Sequence, residues 1–260
     1  MTTRVGWSRE QLLVAFNLYC RIPFGKMHSG NPEIIKYAEL IGRTPSALAM
    51  KLTNIASLDP AITSTGRKGL EGASAADKAM WDEMQADWER FAVESKQAAG
   101  EYGVTTGVET EAEGESAADI EDYTGSNNTI QTTARIGQDF FRRAVLSAYD
   151  YRCCITGLSV PKLLVASHIV PWRVDAKNRL NPRNGLCLSM LHDKAFDVGI
   201  ITIAEDMTVR VSKKNAVDAD DFYKSALLAY DGKPIAVPEK FRPSDEFLAY
   251  HRNYFFSREA

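Results

Sequence analysis

His168 closes one apolar run, KLLVASHI, Asn184 opens a second, NGLCLS, and His192 heads the short amphipathic segment MLHDKAFD. Hydrolysis of a phosphodiester is the chemistry that this order suits. Such a reaction needs a base to take a proton from water and a cation to offset charge growing on the phosphate and the leaving oxygen. An imidazole, whose ordinary pKa lies near neutrality, serves the first need. A second imidazole, neutral and fixed on a helix, serves the other as a metal ligand. Asn184, just before Gly185, carries an amide that can tie the intervening loop together. A lone His in an apolar segment is more often a packed, hydrogen-bonded residue, so the joint order of the three residues carries the reading. His28 and His251 lack such company and are read as structural.

The elements that must position these residues follow from periodicity. KLLVASHI and NGLCLS are too short for helices and suit strands, whereas MLHDKAFD has helical spacing. GIITI, AEDM and TVRVS read as a β-hairpin. The segment RIGQDFFRRAVLSAY is an amphipathic helix with Phe141, Val145 and Ala148 on one face. PSDEFLAYHRNYFF is a closing helix with Phe247, Tyr250 and Tyr254 at helical spacing. The expected carboxy-terminal architecture is therefore α+β, with a strand–loop–strand–helix unit at its centre.

The pattern LL-x-A-x-HI-x-PW, then RNGL-x-L, then H-x-x-AFD-x-G, resembles the HNH (ββα-metal) endonucleases over roughly Arg135 to Ser212. The resemblance implies that His168 is the general base, Asn184 orders the loop and His192 binds metal from the helix. It also implies one divalent cation, Mg²⁺ or another such as Mn²⁺, and a cut that leaves a 5′-phosphate. Two positions depart from the family. Many members place an acid or a His just before the base, where this chain has Ser167. Many place a further ligand four residues after the helix His, where this chain has Phe196. Ser167 and Asp193 remain as candidates for the second metal ligand, although Asp193, one residue along the helix, is directed away from His192. The paired cysteines that hold a structural zinc in many relatives are missing. Thr156 stands for one, and Leu188 and Leu191 for the second pair, so no structural zinc is expected.

Charge is segregated along the chain. The formal net charge is -3. Between residues 96 and 130 Lys96 is the only base, against Glu101, Glu109, Glu111, Glu113, Glu115, Asp119, Glu121 and Asp122. Between residues 135 and 183 bases predominate, and phosphate binding depends on that local charge. Arg173, Arg179 and Arg183, on the loop between the two histidines, are the candidate phosphate contacts. The four Cys residues show no disulfide spacing.

Residues 1–95 have helical periodicity and a helix–turn–helix cadence over NPEIIKYAELIGRTPSALAMKLTNIASLDP. A helix from about Pro32 ends at Gly42, and Thr44 caps another beginning at Pro45. The second of these helices offers Lys51 and Asn54 to DNA. This segment is similar to the SANT/Myb-like or winged-helix modules found ahead of HNH domains. The chain thus reads as a helical, DNA-reading domain at 1–95, an acidic flexible linker at 96–130 and a nuclease domain at 131–260. No apolar run approaches a membrane span and residues 1–20 lack a signal-peptide layout, so a cytoplasmic protein without a membrane partner is expected. The expected function is a metal-dependent endonuclease of double-stranded DNA, in restriction or phage defence, working as a homodimer to cut both strands. The alternatives are a nickase or RNA-directed nuclease, and a DNA-binding regulator with an idle HNH fold.

Overall fold

The computed structural model describes residues 6–64, 72–104, 128–214 and 220–256. It divides into two compact units, Met1–Ala144 and Val145–Ala260. The architecture is α+β, with helices in the first unit and two small antiparallel sheets among helices in the second.

The first unit is organised around α1 (Arg9–Arg21). Its start is set by a capping box between Ser8 and Gln11, and Leu12 to Cys20 are all buried. A helix buried on every side is a central helix, and α1 packs against α3, α5 and α6. Helix α2 (Pro32–Leu40) begins after the Asn31 cap. It is closed at Gly42, whose φ of +66° favours glycine there. Helix α3 (Pro45–Ala56) follows directly behind the Thr44 cap. After the single turn α4 (Pro60–Thr63) come α5 (Ala75–Ala86) and α6 (Trp88–Glu101).

Lys51 does not face outward. It is 7% exposed and its ammonium lies 2.7 and 2.9 Å from the two oxygens of Asp77, which is 0% exposed. The same carboxylate accepts from the Ser74 backbone to cap α5. This differs from the expected nucleic-acid contact, for a physical reason: a buried Asp77 without its cation would cost several kcal/mol, about 3–5 by general experience of broken buried pairs. Asn54 is half-buried, with Gly72 packed beside its amide.

Part of the stretch expected to be a flexible linker, 96–130, is helical. Helix α6 continues through residue 96 to Glu101, and Ala98, Ala99 and Val104 are buried. Helix α7 (Asn128–Ala148) already begins inside the other end. The acidic stretch at 105–127 lies outside the described residues. Phe140 of α7 packs on Trp88 and Phe91 of α6, with ring centroids 6.1 and 5.9 Å apart.

In the second unit, β1 (Leu164–His168) pairs antiparallel with β2 (Gly185–Ser189), so that His168 lies opposite Gly185 and Leu164 opposite Ser189. Helix α8 (Met190–Asp197) starts where β2 ends and packs on both strands. A hairpin of β3 (Ile201–Ile203) and β4 (Val209–Val211) follows, then α9 (Asp221–Ala226) and α10 (Asp245–His251).

Helix α10 is buried through Leu248 and His251 rather than along its aromatic stripe. Tyr250 and Tyr254 stack on each other, and Tyr254 is exposed. His251 is instead a cross-brace. Its Nε2–H donates to the Phe196 carbonyl at 2.9 Å, its Nδ1 accepts from the Thr202 hydroxyl at 2.9 Å, and its ring stacks on Phe196 at 3.6 Å. The chain also passes so near Gly199 that a Cβ there would meet the Phe255 carbonyl at 2.6 Å.

Burial lowers the His251 pKa to about 4, with Arg252 acting the same way and the Phe196 carbonyl opposing. The folded value lies below the ordinary one, so the unfolded chain binds the extra proton between them. The neutral ring's contribution is therefore complete above about pH 6.5 and is lost as pH falls toward 4. The expected loss is about 2–3 kcal/mol between pH 7 and pH 4. Urea midpoints across that range should decline, and His251→Gln should flatten the decline. An unchanged slope in the variant would refute the assignment.

Candidate active site

The site grows from the end of β1. His168 is half-buried, and its Nε2 lies 2.9 Å from the Arg179 carbonyl. A carbonyl only accepts, so Nε2 carries the hydrogen and Nδ1 is the nitrogen able to take a proton. Trp172 meets the imidazole edge-on, with centroids 5.7 Å apart, and the Arg179 guanidinium lies 5.0 Å from the centre of the Trp172 ring. Arg179 thus holds the imidazole through its own carbonyl and braces the indole that packs beside it.

The loop between His168 and β2 is drawn together by Asn184, which is 0% exposed. Its Oδ1 accepts from the Val170 N–H at 2.8 Å, and its Nδ2 donates to the Val170 carbonyl at 3.0 Å and to that of Asn178 at 3.4 Å. The backbone adds a bond from the Ile169 N–H to the Asn184 carbonyl. The side chain prolongs the β1–β2 ladder beyond His168, as a strand's backbone would. Within the loop, Asn178 bonds Asp175, and Asn181 bonds Asn178 and caps the turn at Pro182–Asn184. Arg173 and Arg183 are exposed on this loop, and the Arg183 Nε–H donates to the Arg242 carbonyl at 3.3 Å.

His192 lies in the first turn of α8. Its Nδ1 is 2.8 Å from the Ser189 hydroxyl, which also caps the helix. The ring is 3% exposed, and Tyr230 meets it edge-on at 5.4 Å. Burial lowers its pKa, keeping the ring in the neutral form that a ligand needs. The Ala226 carbonyl faces the ring closely enough to favour the proton, yet Nε2 has no partner in regular hydrogen-bond geometry. Ser189, Ala226 and Tyr230 were not anticipated from the sequence. Only Ser189 carried a signal there, the N-cap spacing of three residues before His192.

Residues 153–204 match the family model of the HNH endonucleases. The carboxy-terminal unit carries an HNH endonuclease domain. No curated protein matches the chain. Within the HNH domain, β1, β2 and α8 are the ββα unit, and they bring His168, Asn184 and His192 into one substructure.

Nucleases of this family are generally dependent on a divalent metal. Among the described residues, no group of three or more His, Cys, Asp or Glu could hold an ion. The Nε2 of His192 is nevertheless a buried nitrogen without a partner in regular hydrogen-bond geometry, although the Ala226 carbonyl faces the ring. One imidazole nitrogen is a sparse set, so most of a cation's shell there would have to come from water and phosphate oxygens.

Proposed function

We propose that the protein is a divalent-metal-dependent endonuclease of double-stranded DNA, with His168 as general base. The observation that carries this reading is the bond from His168 to the Arg179 carbonyl, which presents Nδ1 as the proton acceptor within an HNH domain. In the reaction, Nδ1 takes a proton from the attacking water while Asn184 keeps the loop, and so the base, in place. His192 would hold the cation, Mg²⁺ or Mn²⁺, which when bound offsets charge on the phosphate and leaving oxygen. Arg173 and Arg183 provide phosphate contacts, and Arg179 acts mainly on Trp172 and His168.

The amino-terminal unit serves in this reading as a DNA-reading module. Helix α3 carries one base, Lys51, and that is paired with Asp77. Its contacts to DNA would therefore be uncharged, through Asn54 and its neighbours, and phosphate affinity would fall to the nuclease loop. A restriction or phage-defence role in the cytoplasm follows from pairing a reader with a cutter, and a homodimer would supply the second cut. Among the described residues, no helix is long and apolar enough to cross a membrane.

One observation favours a second reading, an HNH-fold regulator that binds DNA without cutting it: Tyr230 and the Ala226 carbonyl cover the His192 ring. Supercoiled plasmid incubated with the protein and Mg²⁺, or with EDTA, separates the two. Metal-dependent nicking or linearisation is expected. Intact plasmid under both conditions, modified and unmodified, would favour the idle fold. Strand-resolved gels on duplex DNA and RNA would identify a nickase or an RNA-directed enzyme.

A further inference from the structure

Residues 240–244, KFRPS, lead into α10 and lie beyond the stretch that matches the HNH family. Lys240, Phe241 and Pro243 are buried, whereas Arg242 between them is exposed. Phe241 is held at a φ of +53°, a left-handed conformation that is uncommon for a bulky residue and persists only where the surroundings fix it. Its ring is buried, with the Lys240 ammonium 5.5 Å from the ring centre. On the other side, Pro243 disfavours helical backbone at Arg242. The chain is thus anchored before and after Arg242, and the side chain between the anchors is left in solvent.

Two hydrogen bonds tie this segment to the turn at Pro182–Asn184. The Arg183 Nε–H donates to the Arg242 carbonyl at 3.3 Å, and the Ser244 N–H donates to the Arg183 carbonyl at 3.1 Å. Arg183 adjoins Asn184, whose carbonyl accepts from the Ile169 N–H, and Gly185 lies opposite His168. Two exposed arginines are therefore clamped together at the end of the β1–β2 ladder that carries the candidate base. The clamp uses only the main-chain carbonyl of Arg242, and among the described residues neither Asp245 nor Glu246 pairs with its guanidinium. Those acids stand in the first turn of α10, where the helix dipole favours them. We propose that Arg242 is a contact to the sugar-phosphate backbone of duplex DNA, carrying the basic surface of the nuclease loop across to the entry of α10. The inference rests on the nuclease reading above. A guanidinium fork matches phosphate oxygens, and one presented on a fixed backbone has less freedom to lose on binding.

Anisotropy of a fluorescent duplex, titrated with the full chain in EDTA at several salt concentrations, tests this without relying on cleavage. Arg242→Gln should weaken binding about five- to tenfold at low salt, equally on duplexes of different sequence, and flatten the slope of log affinity against log salt by about one. Arg242→Lys should keep most of that slope, because the charge remains. Arg210→Gln removes an exposed base from β4 and should leave affinity and slope unchanged, which separates a local contact from an effect of net charge. Parent-like affinity and slope in Arg242→Gln would overturn the inference while leaving the nuclease reading intact, and so would an equal loss in Arg210→Gln. A fall in Tm with the salt slope unchanged would make Arg242 a structural residue and overturn it as well. A parent that binds no duplex would overturn both.

Discussion

Cleavage of supercoiled plasmid by the His168→Ala protein is expected to fall by about 10³-fold, within the usual range for loss of a general base. Duplex affinity measured in EDTA should change little. The separation follows from position. His168 ends β1, is only half-buried, and hydrogen-bonds through Nε2 to the loop carbonyl of Arg179. The exposed arginines of the same loop, Arg173 and Arg183, remain in the variant. Filter binding or anisotropy on the same preparation supplies the second measurement. Retained cleavage would remove His168 from the mechanism, and parallel loss of binding and cleavage would make it a structural residue.

The largest effect on stability is expected at Asn184. Alanine there strands the Val170 N–H, the Val170 carbonyl and the Asn178 carbonyl, at a site with no exposure. Each buried backbone group left without a partner costs about 1–3 kcal/mol, and partial relaxation of the loop makes a total of roughly 3–5 kcal/mol reasonable. The corresponding fall in Tm is at least about 10 °C. Cleavage should fall with it if His168 is the base, because the loop carries the Arg179 carbonyl that holds the His168 ring. A Tm within about 2 °C of the parent would show that the amide is dispensable and that the ladder alone orders the loop.

The central unit was legible because its signals are local. His168, Asn184 and His192 fall on the strand end, the turn before the second strand and the helix that their flanking apolar runs imply, and the caps at Asn31, Thr44 and Gly42 bound α2 and α3. What was not legible depends on distant partners. Lys51 resembled a surface base until Asp77, on a different helix, accounted for it. The helical continuation past residue 96 was not legible because α6 is finished by small alanines, Ala98 and Ala99, whose burial leaves no large apolar side chain to see. In α10 the eye follows Phe247, Tyr250 and Tyr254, yet the buried phase is that of Leu248 and His251.

The brace at His251 bears on how this HNH domain could be moved between proteins. The stretch that matches the family ends at residue 204, but the carbonyl of Phe196 and the hydroxyl of Thr202 find their partners on α10. The aromatic surface of Phe196 is covered from the same place. A recombination that carried residues 153–204 alone into a new host would deliver a helix with an uncovered ring and unmet polar groups at its back. The transferable cassette therefore runs at least to Phe255, whose backbone presses on Gly199, and a fusion partner is better joined upstream of the HNH domain than inserted ahead of its last helix.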